Sequence, residues 1–170
     1  MIIGIDASSI ASGGGITFLL EFMRANVWRE NPEHQVVLWA HPSLAKALSG
    51  ISLPHVKLVP ILVPGDAIGR FLWSTFRMRK AAVREKADVL MAAGGTFLGH
   101  RTIPGVTMVI NQLSFDPRSR KLFRWSSIFR WKFETLSLLQ TLSLARSAGV
   151  VFFSQFSIDD LRANRVQNIP

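Results

Sequence analysis

The chain has 170 residues, of which 48% are hydrophobic and 18% charged. This length can bury a sizeable core, and this composition excludes an intrinsically disordered protein. The sequence contains no cysteine, which excludes a disulfide framework and thiolate chemistry and fits a reducing compartment. Its formal net charge of +9 favours an anionic partner, without choosing among nucleic acid, anionic lipid and a phosphorylated ligand.

The start of the chain predicts a strand, a glycine-rich loop and a helix. An apolar run from Ile2 ends in Asp6, and three consecutive glycines follow: Gly13, Gly14 and Gly15. Beyond them apolar residues recur at helical spacing, which places a helix N-terminus at the carboxyl end of the strand, where open α/β sheets bind ligands. The run matches neither a dinucleotide-binding nor a P-loop fingerprint, so a simple turn remains an alternative. Asp6 either orients this loop or is a solvated strand end.

Short apolar runs alternate with segments of helical spacing along the whole chain. The runs predict six strands, at residues 1–6, 35–39, 56–63, 88–92, 106–110 and 149–153. The other segments predict helices at 16–29, 43–48, 67–86 and 117–147, and a last helix capped by Ser154 or Ser157. Because the strands are short and uniformly apolar, they predict an α/β fold with a parallel sheet covered by helices on both faces.

Two local signals predict where elements end. Pro60 has no amide hydrogen, so the third strand should lie at a sheet edge or stop there. Ser157 and Asp160 have the spacing of a capping box for the last helix.

The sequence predicts neither a targeting segment nor a metal site. No basic residue precedes the first apolar run, and the most apolar window, 135–153, predicts a helix end followed by a strand. The four histidines show no metal-ligand spacing.

Two stretches, 67–86 and 118–133, interleave basic and aromatic residues, with few acids to balance them. Such helices suit an anionic bilayer interface, the same composition can bind single-stranded nucleic acid, and a buried aromatic stripe with a solvated basic face is a third interpretation. The aromatics are too many for one core stripe, which favours the membrane. The residues assigned to a membrane surface are Arg77, Lys80, Arg118, Lys121, Arg124 and Trp125.

Four local patterns follow one another in order. They are GIDAS at 4–8 with GGGI at 13–16, ADVL at 87–90 with GG at 94–95, VINQLSFDP at 109–117, and ARSAGVVFFSQFS at 145–157. Together they resemble the N-terminal, Rossmann-like half of retaining glycosyltransferases with the GT-B fold, of the GT4 or group 1 type. The resemblance covers essentially the whole chain and depends on the order of the patterns.

The resemblance implies that residues 1–170 form one Rossmann-like acceptor-side domain and that the C-terminal donor-binding domain is absent from this chain. The full enzyme would move a sugar from a nucleotide-sugar donor to a saccharide or lipid-linked saccharide acceptor. This chain would bind no cofactor and no metal, and would not catalyse transfer alone. The expected location is the cytoplasm, and the two basic-aromatic stretches, rather than the resemblance, predict peripheral attachment to the inner membrane face.

The resemblance also implies a cleft between the two domains. Its residues on this chain would be Gly13, Gly14, Gly15, Gly94, Gly95, Asn111 and Gln112. Many family members have a His-Asp pair where this chain has Asn111-Gln112. An amide can hydrogen-bond a sugar hydroxyl but cannot serve as a general base, so Asn111 is assigned to positioning, with a loop residue that bonds its own backbone as the alternative.

Two other functions stay open. One is the Rossmann nucleotide-binding domain of a different enzyme, which the missing GxGxxG pattern and the missing acid beyond it disfavour. The other is a non-catalytic module that binds anionic lipid or nucleic acid. No nucleic-acid-binding motif occurs, so nucleic acid is the less favoured partner.

Overall fold

The structure is a computed structural model that describes residues 1–25, 30–62, 69, 72–94, 102–110 and 127–164. For residues 129, 132, 133, 156, 160 and 162–164 it describes the backbone only. The strands are β1 (Ile2–Ala7), β2 (Gln35–Ala40), β3 (Val56–Pro60), β4 (Val89–Ala92), β5 (Gly105–Val109) and β6 (Gly149–Phe152). The helices are α1 (Gly14–Ala25), α2 (Pro42–Leu48), α3 (Met78–Arg84), α4 (Ile128–Arg146) and α5 (Gln155–Asn164), and a π-helical turn (Trp73–Arg77) leads into α3.

These six strands form one parallel sheet in the order β3-β2-β1-β4-β5-β6. β1 is central, with Ile5 opposite Leu38 of β2 and Met91 of β4. Helices cover both faces, so the predicted Rossmann-like α/β fold is confirmed. The strand bounds lie close to the predicted ones because each buried strand reads as one continuous apolar run.

The direction of winding reverses once, between β3 and β4. The chain moves toward one edge from β1 to β3, and toward the other edge from β4 to β6. Because parallel crossovers are right-handed, the helices before and after this reversal lie on opposite faces. On the first face, Leu19 and Met23 of α1 and Leu44 of α2 join a buried cluster with Ile5 and Leu38.

The second face is covered by α3 and α4. Met78 and Ala82 of α3 pack in a buried cluster with Trp39 and Leu90. Trp39 fits there because position 4 is glycine, since a Cβ on Gly4 would lie 2.8 Å from the indole Cζ3. The ring therefore occupies the space that a side chain on β1 would need.

The long helix α4 contacts the same face over β5. Leu144 of α4 is buried against Val109 in a third cluster. Leu90 lies opposite Gly105, and side chains alternate along a strand, so Val109 points to the same side as Leu90. α3 and α4 thus lie on the same face of the sheet.

Local backbone features determine where β3 and α3 end. β3 is an edge strand and ends at Pro60, as predicted. α3 ends at Arg84, earlier than predicted, because Lys86 adopts a left-handed conformation with φ 54° and the Ala87 amide donates to the Ala82 carbonyl at 2.9 Å.

The start of α5 corrects one prediction. Ser154 precedes the helix, and its Oγ accepts from the Ser157 amide at 3.2 Å, which is an N-cap bond. Ser157 lies inside the helix and is buried, so the prediction that it caps the helix with Asp160 as its partner is wrong.

Candidate functional site

A cleft of about 490 Å³ opens at the carboxyl edge of the sheet. After β1 the chain crosses toward the β3 edge of the sheet, and after β4 and β5 it crosses toward the β6 edge. The cleft lies between these diverging connections, which is where open α/β sheets bind ligands. Its lining residues are Ser9, Ile10, Ala11, Ser12, Gly14, Gly15, Ala93, Gly94, Ile110 and Gln140. Five segments contribute to it: the loop after β1, the start of α1, the end of β4, the end of β5, and α4 through one side chain.

The glycine loop brings the N-terminus of α1 to this cleft. Gly13 has φ +72°, a conformation that side chains rarely adopt, and its carbonyl accepts the Ile16 amide at 3.1 Å. α1 therefore starts at Gly14, whose amide has no acceptor within the helix. The first turn holds no acidic residue, so the partial positive charge of this helix end faces the cleft without a neighbouring carboxylate.

Close packing holds the loop after β1 against the end of β4. A Cβ on Gly94 would overlap Ser9 Oγ, and a Cβ on Gly15 would lie 2.9 Å from Ile10 Cγ2. Glycine at position 94 thus allows the end of β4 to approach the loop after β1, and glycine at position 15 allows the start of α1 to approach the same loop. These contacts form the floor of the cleft.

Asp6 organises this loop from beneath. Its Oδ1 accepts from the Ser8 amide at 3.0 Å, from Ser8 Oγ at 2.6 Å and from Trp73 Nε1 at 3.4 Å. The residue is buried, so the alternative of a solvated strand end is wrong. Burial raises the pKa of Asp6, and the bonds from Ser8 and Trp73 oppose that rise. Asp6 does not line the cleft and acts through Ser8.

The helix α4 presents a polar stripe to the sheet and the cleft. Gln140 lines the cleft and is buried. Ser143 and Ser147 follow Gln140 by about one and two turns, and Thr107 Oγ1 of β5 lies 3.2 Å from Ser143 Oγ and 2.6 Å from Ser147 Oγ. Ser147 Oγ also donates to the Ser143 carbonyl at 2.8 Å, so these buried hydroxyls partner one another and fix α4 against β5.

The structure brings together three of the predicted cleft residues. Gly14, Gly15 and Gly94 line the cleft, and Gly13 sets the start of α1 beside it. Predicted residues Gly95, Asn111 and Gln112 lie outside the described residues, so their roles stay predictions.

Sequence reasoning did not identify Ser9, Ser12 or Gln140 as cleft residues. A single glutamine in a long apolar helix is the signal that could have drawn attention to Gln140.

The lining of the cleft carries no charged side chain among its described residues. Its polar side chains are two serines and one glutamine, and the rest are small or aliphatic. The cations Arg77 and Lys80 are exposed on the π-helical turn and α3 and are not among the lining residues. The other residues assigned to a membrane surface, Arg118, Lys121, Arg124 and Trp125, lie outside the described residues.

In the described ranges, no three His, Cys, Asp or Glu side chains are placed to hold a metal ion. Of the helices that the structure describes, none is both long and apolar enough to cross a membrane.

Comparison with known proteins does not assign the chain to a family. No protein-family model matches the sequence, and a search of curated proteins gives no match. The glycosyltransferase resemblance therefore remains a prediction.

Proposed function

We propose that this chain is the acceptor-side domain of a retaining glycosyltransferase that binds a saccharide or lipid-linked saccharide in the cleft. The observation that carries the proposal is the uncharged, small-residue lining of a cleft at the switch point of a Rossmann-like sheet. A neutral polyhydroxylated ligand needs hydrogen-bonding groups and apolar surface, and has no need of countercharges.

The lining offers both kinds of contact. Ser9 and Ser12 hydroxyls donate and accept, and the Gln140 amide does so through two different atoms. Ile10 and Ile110 supply apolar surface for the C–H faces of a sugar ring. A nucleic acid or another polyanion would find no cation among these lining residues, which favours a sugar.

The N-terminus of α1 would serve the donor. The amides of Gly14 and Gly15 lie at the edge of the cleft, and the helix end carries a partial positive charge. In sugar transfer, negative charge develops on the departing nucleoside diphosphate, and fixed amide dipoles aimed at that charge lower the barrier. The donor-binding domain would supply the remaining contacts, so this chain should not catalyse transfer alone.

The end of β2 argues against a dinucleotide-binding domain. Such domains place an acidic residue there to hold the ribose hydroxyls. Here β2 ends at Ala40, and the next residue is His41, whose Nδ1 accepts from the Ser43 amide at 3.2 Å as the N-cap of α2. The position is therefore occupied by a helix cap rather than by a ribose ligand.

The test measures ligand binding by Gly14→Ala. A Cβ built on Gly14 meets no heavy atom within 4 Å, so the folded chain should tolerate it, and alanine favours a helix over glycine by up to about 1 kcal/mol. The methyl group would nevertheless hold a ligand away from the backbone amides. We expect saccharide and UDP-sugar binding, followed by NMR chemical-shift titration, to weaken by about tenfold.

Gly50→Ala is the matched control, because its Cβ also meets nothing within 4 Å and it lies after α2, outside the cleft lining. It should bind like the wild-type chain. Equal binding by the two variants, or no binding of any neutral saccharide or UDP-sugar by the folded chain, would overturn the proposal. Preferential binding of NAD would instead support the dinucleotide alternative.

A further inference from the structure

Large apolar side chains are exposed mainly on one face of the molecule. Among the described residues, the helices α1 and α2 on the first face expose none of them. On the second face they are Leu72, Phe76 and Val83 along the π-helical turn and α3, and Ile128, Trp131, Leu138 and Leu142 along α4. Exposed apolar side chains concentrated on one face in this way are expected to be covered in the working protein.

The helix α4 is inverted relative to an ordinary surface helix. Its sheet-facing stripe contains three polar residues, Ser137, Gln140 and Ser143, beside the single leucine Leu144, all buried. Its outer stripe contains Trp131, 61% exposed, and Leu138, 58% exposed. Such a helix leaves apolar side chains in contact with water on its outer side, and removing them from water would be favourable.

The neighbouring α3 adds positive charge to the same face. Its exposed cations, counted from the π-helical turn to the residue that follows the helix end, are Arg77, Arg79, Lys80, Arg84 and Lys86. They surround exposed Phe76 and Val83. The single acid of residues 72–86, Glu85, has a side chain only 16% exposed and is paired with Lys57 Nζ at 2.6 Å and Arg84 Nε at 3.8 Å.

We propose that the face formed by the π-helical turn, α3 and α4 docks on an anionic lipid bilayer. Both helices lie on the same side of the sheet because the winding reverses before α3, so their outer residues point to the same side of the molecule. Cations beside apolar and aromatic side chains fit such an interface, where the charges meet lipid phosphate and the apolar groups enter the headgroup boundary. This docking does not depend on the proposed sugar-binding function.

Charge selects the bilayer over the other partners that could cover this face. A symmetric dimer would bring the same patch of both copies together, so the exposed cations of α3 would oppose their own kind. Single-stranded nucleic acid binds by stacking on aromatic rings, and it would leave Leu72, Val83 and Leu138 uncovered. An anionic bilayer satisfies both the cations and the aliphatic side chains.

The test uses site-specific fluorescent labels, which the absence of cysteine makes possible. An environment-sensitive dye is attached to Phe76→Cys, to Leu138→Cys and, as the control, to Thr17→Cys, which is exposed on α1. With phosphatidylglycerol-containing vesicles at low salt, we expect a blue shift at positions 76 and 138 and none at 17. Pure phosphatidylcholine vesicles should give a much smaller shift.

Three results would overturn the proposal. The first is no response of the dyes at 76 and 138 to anionic vesicles. The second is a response of the dye at 17 that is as strong as theirs. The third is a blue shift at 138 that grows with protein concentration in the absence of lipid, which would assign the face to a second copy of the chain.

A pair of charge variants tests the face separately from the total charge. Arg77→Gln/Lys80→Gln and the control Arg24→Gln/Lys46→Gln lose the same net charge, the second pair from α1 and α2 on the opposite face. Each cation near an anionic surface contributes about fivefold to partitioning, so the first pair should lower the partition coefficient about 25-fold. This comparison is made at about 0.1 M salt, where the Debye length is about 10 Å, and because the sheet separates the control pair from the docked face, that pair should have little effect. Equal losses would mean that net charge alone attracts the chain.

Discussion

The floor of the cleft can be tested by Gly94→Ala. Glycine at this position lies directly against Ser9, because a Cβ would overlap Ser9 Oγ and lie 3.3 Å from Ser9 Cβ. The new methyl group must displace Ser9 or move the end of β4. Either movement changes the lining of the cleft, since both residues contribute to it.

The magnitude follows from two opposing effects. Forcing an extra methyl group into a packed contact costs about 1–3 kcal/mol. Replacing glycine where the backbone φ suits alanine restricts the unfolded chain and returns about 0.4–1 kcal/mol. We therefore expect Gly94→Ala to lower the free energy of unfolding by about 1–2 kcal/mol.

A double-mutant cycle isolates the contact. Ser9→Ala removes the overlapping Oγ and leaves only the looser Cβ contact at 3.3 Å, so Gly94→Ala should cost little in that background. The coupling free energy from urea unfolding should be about 1–2 kcal/mol. Additivity of the two changes to within about 0.5 kcal/mol would refute the packing that we describe for the cleft floor.

Two further predictions concern Asp6 and Ser154. Burial raises the pKa of Asp6 above its ordinary value of 3.8, so the folded chain holds the carboxyl proton more tightly than the unfolded chain does. The stability that this provides is fully present below pH 3.8 and is lost as the pH rises through the folded pKa. In urea titrations from about pH 4 to pH 8, the free energy of unfolding of Asp6→Asn should not show this decline with pH. Parallel pH profiles for the variant and the wild-type chain would contradict the prediction. Ser154→Ala removes the acceptor of the Ser157 amide and should lower the free energy of unfolding by about 1 kcal/mol, whereas Ser154→Asp should restore it.

The fold was predictable because local signals agree along the chain. Each buried strand is a short apolar run, and the glycines at 13–15 separate β1 from α1. Pro60 set both the end of β3 and its edge position, since proline cannot donate to a neighbouring strand. These features depend on residues adjacent in sequence, which single-sequence reasoning can use.

The buried contacts of Asp6 were not predictable in this way. Its carboxylate accepts from Trp73, which lies 67 residues away in the sequence. A strand-ending aspartate is usually a solvated residue or a ligand contact, and only the fold shows that a helical turn covers it. The position of Gln140 in the cleft was not predictable for the same reason, because it depends on how α4 crosses the end of β5.

The orientation of α4 shows a second limit. Helical periodicity predicts which residues share a stripe, but hydrophobicity normally decides which stripe faces the sheet. Here the sheet offers Thr107, whose hydroxyl partners Ser143 and Ser147, so the serine stripe packs inward together with Leu144, while Trp131 and Leu138 face out. The deciding residue lies on another element, outside any window of the helix.

The two proposals meet at α4. Its inner side contributes Gln140 to the cleft, and its outer side presents Trp131 and Leu138 to the proposed bilayer. An α-helix with its side chains is about 10 Å across, so a docked chain would hold the cleft about one helix diameter from the lipid surface. A saccharide attached to a membrane lipid could reach the cleft at that height while its lipid stays in the bilayer. If both proposals hold, lipid-linked saccharides are therefore the acceptors that this geometry favours over soluble ones.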